Sequence, residues 1–198
     1  RHGDGHRYPP HKINYRANIW ALHQVGVDRV IAVNAVGGIA DECGTGALVL
    51  ANQIIDYSYG REHTFYDGAD GRLDHIEFGS PYSEPLRELL IAAAAERGEP
   101  LVEQGTYACT QGPRLETAAE VQKLKRDGAD VVGMTGMPEA ALARELGLDY
   151  AALCLVVNPA AGLSDEPITM ADIQRVIDAG MLSVKQLLAA AISADSRR

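Results

Sequence analysis

Apolar positions along the chain keep two rhythms, one of three to four residues and one of continuous short runs. In "HKINYRANIWALHQVG", residues 11–26, Ile13, Ala17, Trp20, Ala21 and Val25 recur at helical spacing. That predicts a helix with this face buried and Gly26 as its stop. "DRVIAVNAVGGI" follows as a buried strand ending in glycines, and "GALVLANQIIDY" reads as a second apolar strand. Residues 57–82 keep neither rhythm and predict a long loop, a length that in compact domains marks function or mobility. "SEPLRELLIAAAAERG" predicts a helix opened by Ser83 and closed by Gly98.

The second half alternates. "VEQGTYACTQGP", "ADVVGMTG" and "DYAALCLVVN" predict strands. "LETAAEVQKLKRDG", "MPEAALARELG" and the long "TMADIQRVIDAGMLSVKQLLAAAI", with Thr169 as its N-cap, predict helices. Strands alternating with helices define an α/β fold, a single domain over residues 1–198 with a mostly parallel, twisted central sheet flanked by helices. In such sheets ligands sit beyond the carboxyl ends of the strands, which singles out Asn34, Met134, Thr135 and Asn158.

Composition narrows the classes. With 198 residues and 46% hydrophobic content, the chain can bury one sizeable core. A net charge of -9 disfavours a nucleic-acid polymer as partner, though a locally basic pocket can still hold a small anion. No apolar run approaches the ~18 residues of a membrane span. Cys43, Cys109 and Cys154 show no paired spacing, as expected of reduced thiols in a cytoplasm.

Four segments carry candidate chemistry. "RHGDGHRYPPH" gathers Arg1, His2, His6 and Arg7 ahead of a helix, an anion clamp or equally a solvated basic loop. Its histidines lack acidic or thiol companions at metal-ligand spacing. "VNAVGGI" brings backbone close either to phosphate or to its own turn. It is not GxGxxG, and no acidic residue follows at the ribose-reading distance, so a dinucleotide dehydrogenase rests on fold class alone. "QGPRLETAAE" couples a Gly-Pro turn to a helix begun by Glu116 and Thr117, where a carboxylate complements the helix dipole. Thr135, before the next helix, can hold phosphate or cap. Asn158, before Pro159, is either a turn residue or a ligand reader.

Taken together, "RHG…H…P…NYRANIWAL", "VNAVGGI", "FYDG", "QGPRLETAAE", "DVVGMTGMPEAALAREL" and the closing helix resemble the trimeric purine nucleoside phosphorylase and methylthioadenosine phosphorylase family over essentially the whole chain. The resemblance implies cleavage of a purine nucleoside by inorganic phosphate in a cytoplasmic homotrimer, without metal or organic cofactor. It places Arg1, His2, Asn34, Ala35 and Thr135 on phosphate, and Met134 under the ribose. It places Leu115, Glu116, Asn158, Pro159 and Ala160 around the base, and Met170 at the 5′ substituent. Asn34 stands where the animal methylthioadenosine enzymes have threonine, and Leu115 where the family often has phenylalanine. Family members begin with a strand and a Gly-Gly-Thr/Ser-Gly phosphate loop. The resemblance puts that segment upstream of Arg1, and an inactive purine-binding fragment is the non-enzyme alternative.

A carboxamide at Asn158 can donate to a purine O6 and accept from N7–H, where an aspartate could only accept. Glu116 resembles the family glutamate that accepts from N1–H, a proton adenine lacks. Both positions imply a 6-oxopurine. Met170, in place of the histidine that meets a 5′-hydroxyl, favours an apolar 5′ group, with core packing as the plain alternative. The combination resembles bacterial methylthioinosine phosphorylases. The alternatives are an inosine/guanosine or a methylthioadenosine phosphorylase. The long loop, with His75 and Phe78, is expected to close the 5′ pocket with help from a neighbouring subunit.

Overall fold

The computed structural model describes residues 1–68, 71–165 and 167–195. Its strands are β1 (Arg29–Gly38), β2 (Leu48–Leu50), β3 (Gln53–Asp56), β4 (Thr106–Cys109), β5 (Val131–Gly133) and β6 (Asp149–Pro159). They form one sheet in the order β2-β6-β1-β5-β4-β3. Ala51 and Asn52 alone separate β2 from β3, yet these strands stand at opposite ends of that order. Two linking residues reach about 10 Å, whereas six flat strands spaced ~4.8 Å apart would span roughly 24 Å. The sheet must curl until its ends nearly meet, and a bridge from Val49 to Val102 helps close the gap.

The single strand expected over residues 46–57 is therefore two. The sheet is mixed: β1–β6, β3–β4 and β4–β5 are parallel, while β1–β5 and β2–β6 are antiparallel. β1 also runs four residues past Asn34, which faces Cys154 in mid-strand rather than ending the strand. The β1–β6 register shifts between Val36 and Gly37. A Cβ on Gly38 would fall 1.9 Å from the Cys43 carbonyl oxygen, so this glycine serves the chain's own turn and not a ligand.

β6 shows why the core has two halves. Tyr150, Ala152, Cys154 and Val156 face one cluster, and Ala151, Leu153, Leu155 and Val157 face another, the period of two a strand imposes. The first cluster is covered by α1 (Tyr15–Gln24) and α4 (Glu139–Glu145). The second is covered by α2 (Glu84–Arg97) and α5 (Met170–Asp195). A third cluster seats α3 (Ala118–Arg126) through Val121 and Leu124.

Several helix details differ from expectation. α1 starts at Tyr15, capped by Asn14 Oδ1 accepting from the Ala17 N–H at 3.0 Å, because Pro10–Lys12 form a separate 3-10 turn. Its buried face is Tyr15 and Ile19, while Ala17, Trp20, Ala21 and Val25 are exposed. Ser83 precedes α2, but its hydroxyl makes no cap bond; Gly98 closes that helix with φ 62°. Thr169 does cap α5, accepting from the Asp172 N–H at 3.1 Å. Among the described residues α5 alone is long and apolar enough to cross a membrane, with mean hydropathy 1.4 over its best window, contrary to the expectation that no segment would be. It packs one stripe, Val184, Leu187 and Ala191, against α2 and β6, and most of its other residues are exposed or half-buried.

Candidate active site

A cavity of about 580 Å³ opens along β1, β5 and β6, within the size range of small-molecule sites. Arg1, His2, Asn34, Ala35, Leu115, Glu116, Met134, Thr135, Asn158, Ala160 and Met170 all line it. Pro159 is outside, in an adjoining cavity that shares Leu115, Glu116, Asn158 and Ala160. Those four therefore stand where the two cavities meet, away from Arg1, His2, Asn34 and Thr135. His75 and Phe78 do not reach this cavity in the single chain: His75 is exposed, and Phe78 packs against the core.

The polar end sets the partly exposed Arg1 and His2 on buried Asn34, Thr135 and Glu139. Arg1 donates through Nε and Nη2 to the two carboxylate oxygens of Glu139, each at 2.7 Å, and through Nη1 to the Val33 carbonyl at 3.0 Å. Thr135 Oγ1 donates to Asn34 Oδ1 at 3.2 Å, while Asn34 Nδ2 is buried without a partner. Burial pushes the neighbouring Cys154 thiol up to about 12, with the Asn34 side chain opposing. His2 Nδ1 lies 2.8 Å from the Tyr8 carbonyl oxygen, which fixes Nδ1 as the protonated nitrogen. Burial lowers the His2 pKa and outweighs that hydrogen bond, so Nε2 is a bare acceptor at neutral pH. His6 stacks on the ring at 3.9 Å.

The opposite end presents an amide and a carboxylate. Asn158 Nδ2 donates to the Pro159 carbonyl at 2.6 Å, which orients the amide and leaves its second N–H and Oδ1 for other partners. Thr110 Oγ1 donates to Glu116 Oε1 at 2.7 Å, leaving Oε2. Met134 lies between the two ends, its sulfur so close to Gly112 that a Cβ there would fall 2.4 Å away. Gly112 has φ 60°, so the turn between Gln111 and Pro113 favours glycine by its backbone. Ile168, Met170 and Ile173 form an apolar wall, with Met170 still 75% exposed.

Sequence reasoning missed the groups that hold these side chains: Glu139 and Tyr150 behind Arg1, Thr110 behind Glu116, and Arg61. The Arg61 side chain is buried and donates to the carbonyls of Thr110, Gln111 and Met134 at 3.1, 3.0 and 2.9 Å, and also to that of Met137. It thus ties the Glu116 segment to the Met134 segment. Among the described residues no group of three or more His, Cys, Asp or Glu converges as a metal site.

Comparison with known proteins gives concordant matches. The family described as the Phosphorylase superfamily matches residues 1–193. A probable S-methyl-5'-thioinosine phosphorylase of Pseudomonas syringae pv. tomato is 57% identical over 194 residues, 98% of this chain and 79% of that protein. The 6-oxopurine nucleoside phosphorylase of Pyrococcus furiosus is 47% identical over 197 residues, 97% of this chain and 74% of that protein. Among solved structures, methylthioadenosine phosphorylase from Schistosoma mansoni in complex with adenine superposes with a TM-score of 0.94 at 31% identity, covering all of this chain and 75% of that one.

Proposed function

The chain belongs to the Phosphorylase superfamily, and on that premise we propose that its cavity cleaves S-methyl-5′-thioinosine with inorganic phosphate. The products are hypoxanthine and S-methyl-5-thioribose 1-phosphate. The observation that carries this reading is the joint placement of Glu116 and Asn158, from separate segments, in one cavity with Arg1 and Thr135. An oxopurine satisfies both: N1–H to Glu116 Oε2, O6 to the free Asn158 N–H, and N7–H to Asn158 Oδ1. Adenine has no N1 proton and offers a 6-amino donor to an amide N–H. A mispaired buried group of this kind costs ~1–3 kcal/mol.

A phosphate oxygen attacks the anomeric carbon as the bond to N9 breaks, and the electron pair departs with the purine. The sugar becomes oxocarbenium-like, so positioning and placed charge supply most of the catalysis. Arg1 and Thr135 hold the phosphate, whose negative charge steadies the cationic sugar, and His2 Nε2 accepts a hydrogen bond from a phosphate hydroxyl. Asn34 serves Thr135: turned over, its amide donates to Thr135 Oγ1 and frees the hydroxyl proton for phosphate, which gives the unpartnered Nδ2 a role. The leaving purine anion takes a proton from solvent at N7, and Asn158 Oδ1 accepts a hydrogen bond from that N7–H. Ala35 lends backbone to the phosphate, and Met134 and Leu115 pack on sugar and base.

Ile168, Met170 and Ile173 favour a methylthio group over a 5′-hydroxyl, which ranks methylthioinosine above inosine. The reading includes a cytoplasmic homotrimer, in which a neighbouring subunit helps close the 5′ pocket, and phosphate as the sole co-substrate. Base release from methylthioinosine, inosine and methylthioadenosine, with and without phosphate, tests it. Strict phosphate dependence and that order of kcat/KM are expected. Phosphate-independent release, or methylthioadenosine in first place, would overturn it.

A further inference from the structure

We infer that Glu139 is the positioning residue for the phosphate-holding arginine, choosing which edge of the Arg1 guanidinium faces the anion. A guanidinium carries five N–H groups, one on Nε and two on each terminal nitrogen. Nε gives its only N–H to Glu139 Oε2, Nη2 gives one to Glu139 Oε1, and Nη1 gives one to the Val33 carbonyl. One N–H then remains on Nη1 and one on Nη2. These two form the end-on fork that grips an oxyanion with parallel bonds. Because Glu139 occupies the side-on edge, the fork is the only edge left for the cavity that Arg1 lines.

Glu139 is itself fixed. It is 5% exposed, and Tyr150, near the amino end of β6, donates its hydroxyl to Oε1 at 2.8 Å. Burial works against the charge on Arg1, but the adjoining carboxylate outweighs it and holds the guanidinium above its ordinary pKa. The guanidinium therefore stays charged, and its two bonds to Glu139 hold it in one orientation before phosphate arrives. Glu139 touches neither phosphate nor nucleoside; it acts through Arg1. Preorganisation of this kind appears in the affinity for one substrate and not the other.

The inference rests on the phosphate role proposed for Arg1, so the experiment separates the two. In the full-length protein, inorganic phosphate is varied at saturating methylthioinosine, and then the nucleoside at saturating phosphate. Glu139→Gln keeps the shape but replaces one acceptor oxygen with a donor. It is expected to raise the phosphate KM about tenfold or more while the nucleoside KM changes by less than about twofold. Tyr150→Phe, which leaves the ion pair but frees the carboxylate to turn, is expected to move the phosphate KM the same way by about two- to threefold. Should Glu139→Gln not fold, Tyr150→Phe decides alone. Arg1→Ala is the reference: an unchanged phosphate KM there overturns the phosphate role itself. If Arg1→Ala raises that KM while Tyr150→Phe and a folded Glu139→Gln leave it alone, or raise both KM values in parallel, the positioning role is overturned and the phosphate role stands.

Discussion

Glu116 enters the cavity with Oε1 already accepting from Thr110 at 2.7 Å. The rotamer is thereby set and Oε2 is left for the purine N1–H of the proposed substrate. Thr110→Val removes the donor at nearly constant volume. It should raise the nucleoside KM and lower kcat/KM for methylthioinosine about tenfold, a loss of ~1.4 kcal/mol, with the phosphate KM unchanged; steady-state kinetics check it. Glu116 and Asn158 were legible only through the family resemblance; alone, a carboxylate at a helix start and an asparagine before proline read as well as dipole and turn residues. Thr110 was not, since a threonine leaving a strand is ordinary. Arg61 was equally silent: a single arginine in a polar loop carries no sign of the four carbonyls that fold around it.

At the scale of an element, α3 begins with a reciprocal cap. Thr117 Oγ1 accepts from the Glu120 N–H at 3.1 Å, and Glu120 Oε2 accepts from the Thr117 N–H at 2.7 Å. The helix was expected to begin with Glu116 and Thr117; the T-x-x-E cap starts it at Ala118 instead and leaves Glu116 just outside, free to face the cavity. Thr117→Ala should cost about 1 kcal/mol of stability, read by thermal or denaturant unfolding. Arg114 and then the Thr117 N–H hold the Glu120 carboxyl down at about 2 from an ordinary 4.5. A depressed carboxyl stabilises above its unfolded value and ceases to as the pH falls through the folded one. The unfolding-temperature difference between the wild type and Glu120→Gln should therefore be full at pH 7 and fade between about 4.5 and 2. A constant difference across that range would count against the cap. The face of α1 misled because Trp20 and Val25 keep helical spacing with Ile13, whereas the chain turns at Pro10–Lys12 and buries Tyr15 and Ile19 instead.

Across the whole molecule, the α/β class and the order of its elements were legible, since period and length distinguish strands from helices. The curl was not. It follows from β2 and β3 being neighbours in sequence and far apart in strand order, a fact that pairing alone reveals. The curl also brings the ends of β5 and β6 and the middle of β1 around one cavity, so Asn34 reaches it from mid-strand. The central claim is that this cavity reads a keto purine through Asn158 and Glu116. It is tested most directly by the ratio of kcat/KM for methylthioinosine to that for methylthioadenosine, in the wild type and in Asn158→Asp. The account predicts a wild-type ratio above about one hundred and a fall of at least about tenfold in the variant, as one mispaired group implies. A wild-type ratio near one, or a ratio that Asn158→Asp leaves unchanged, would contradict it.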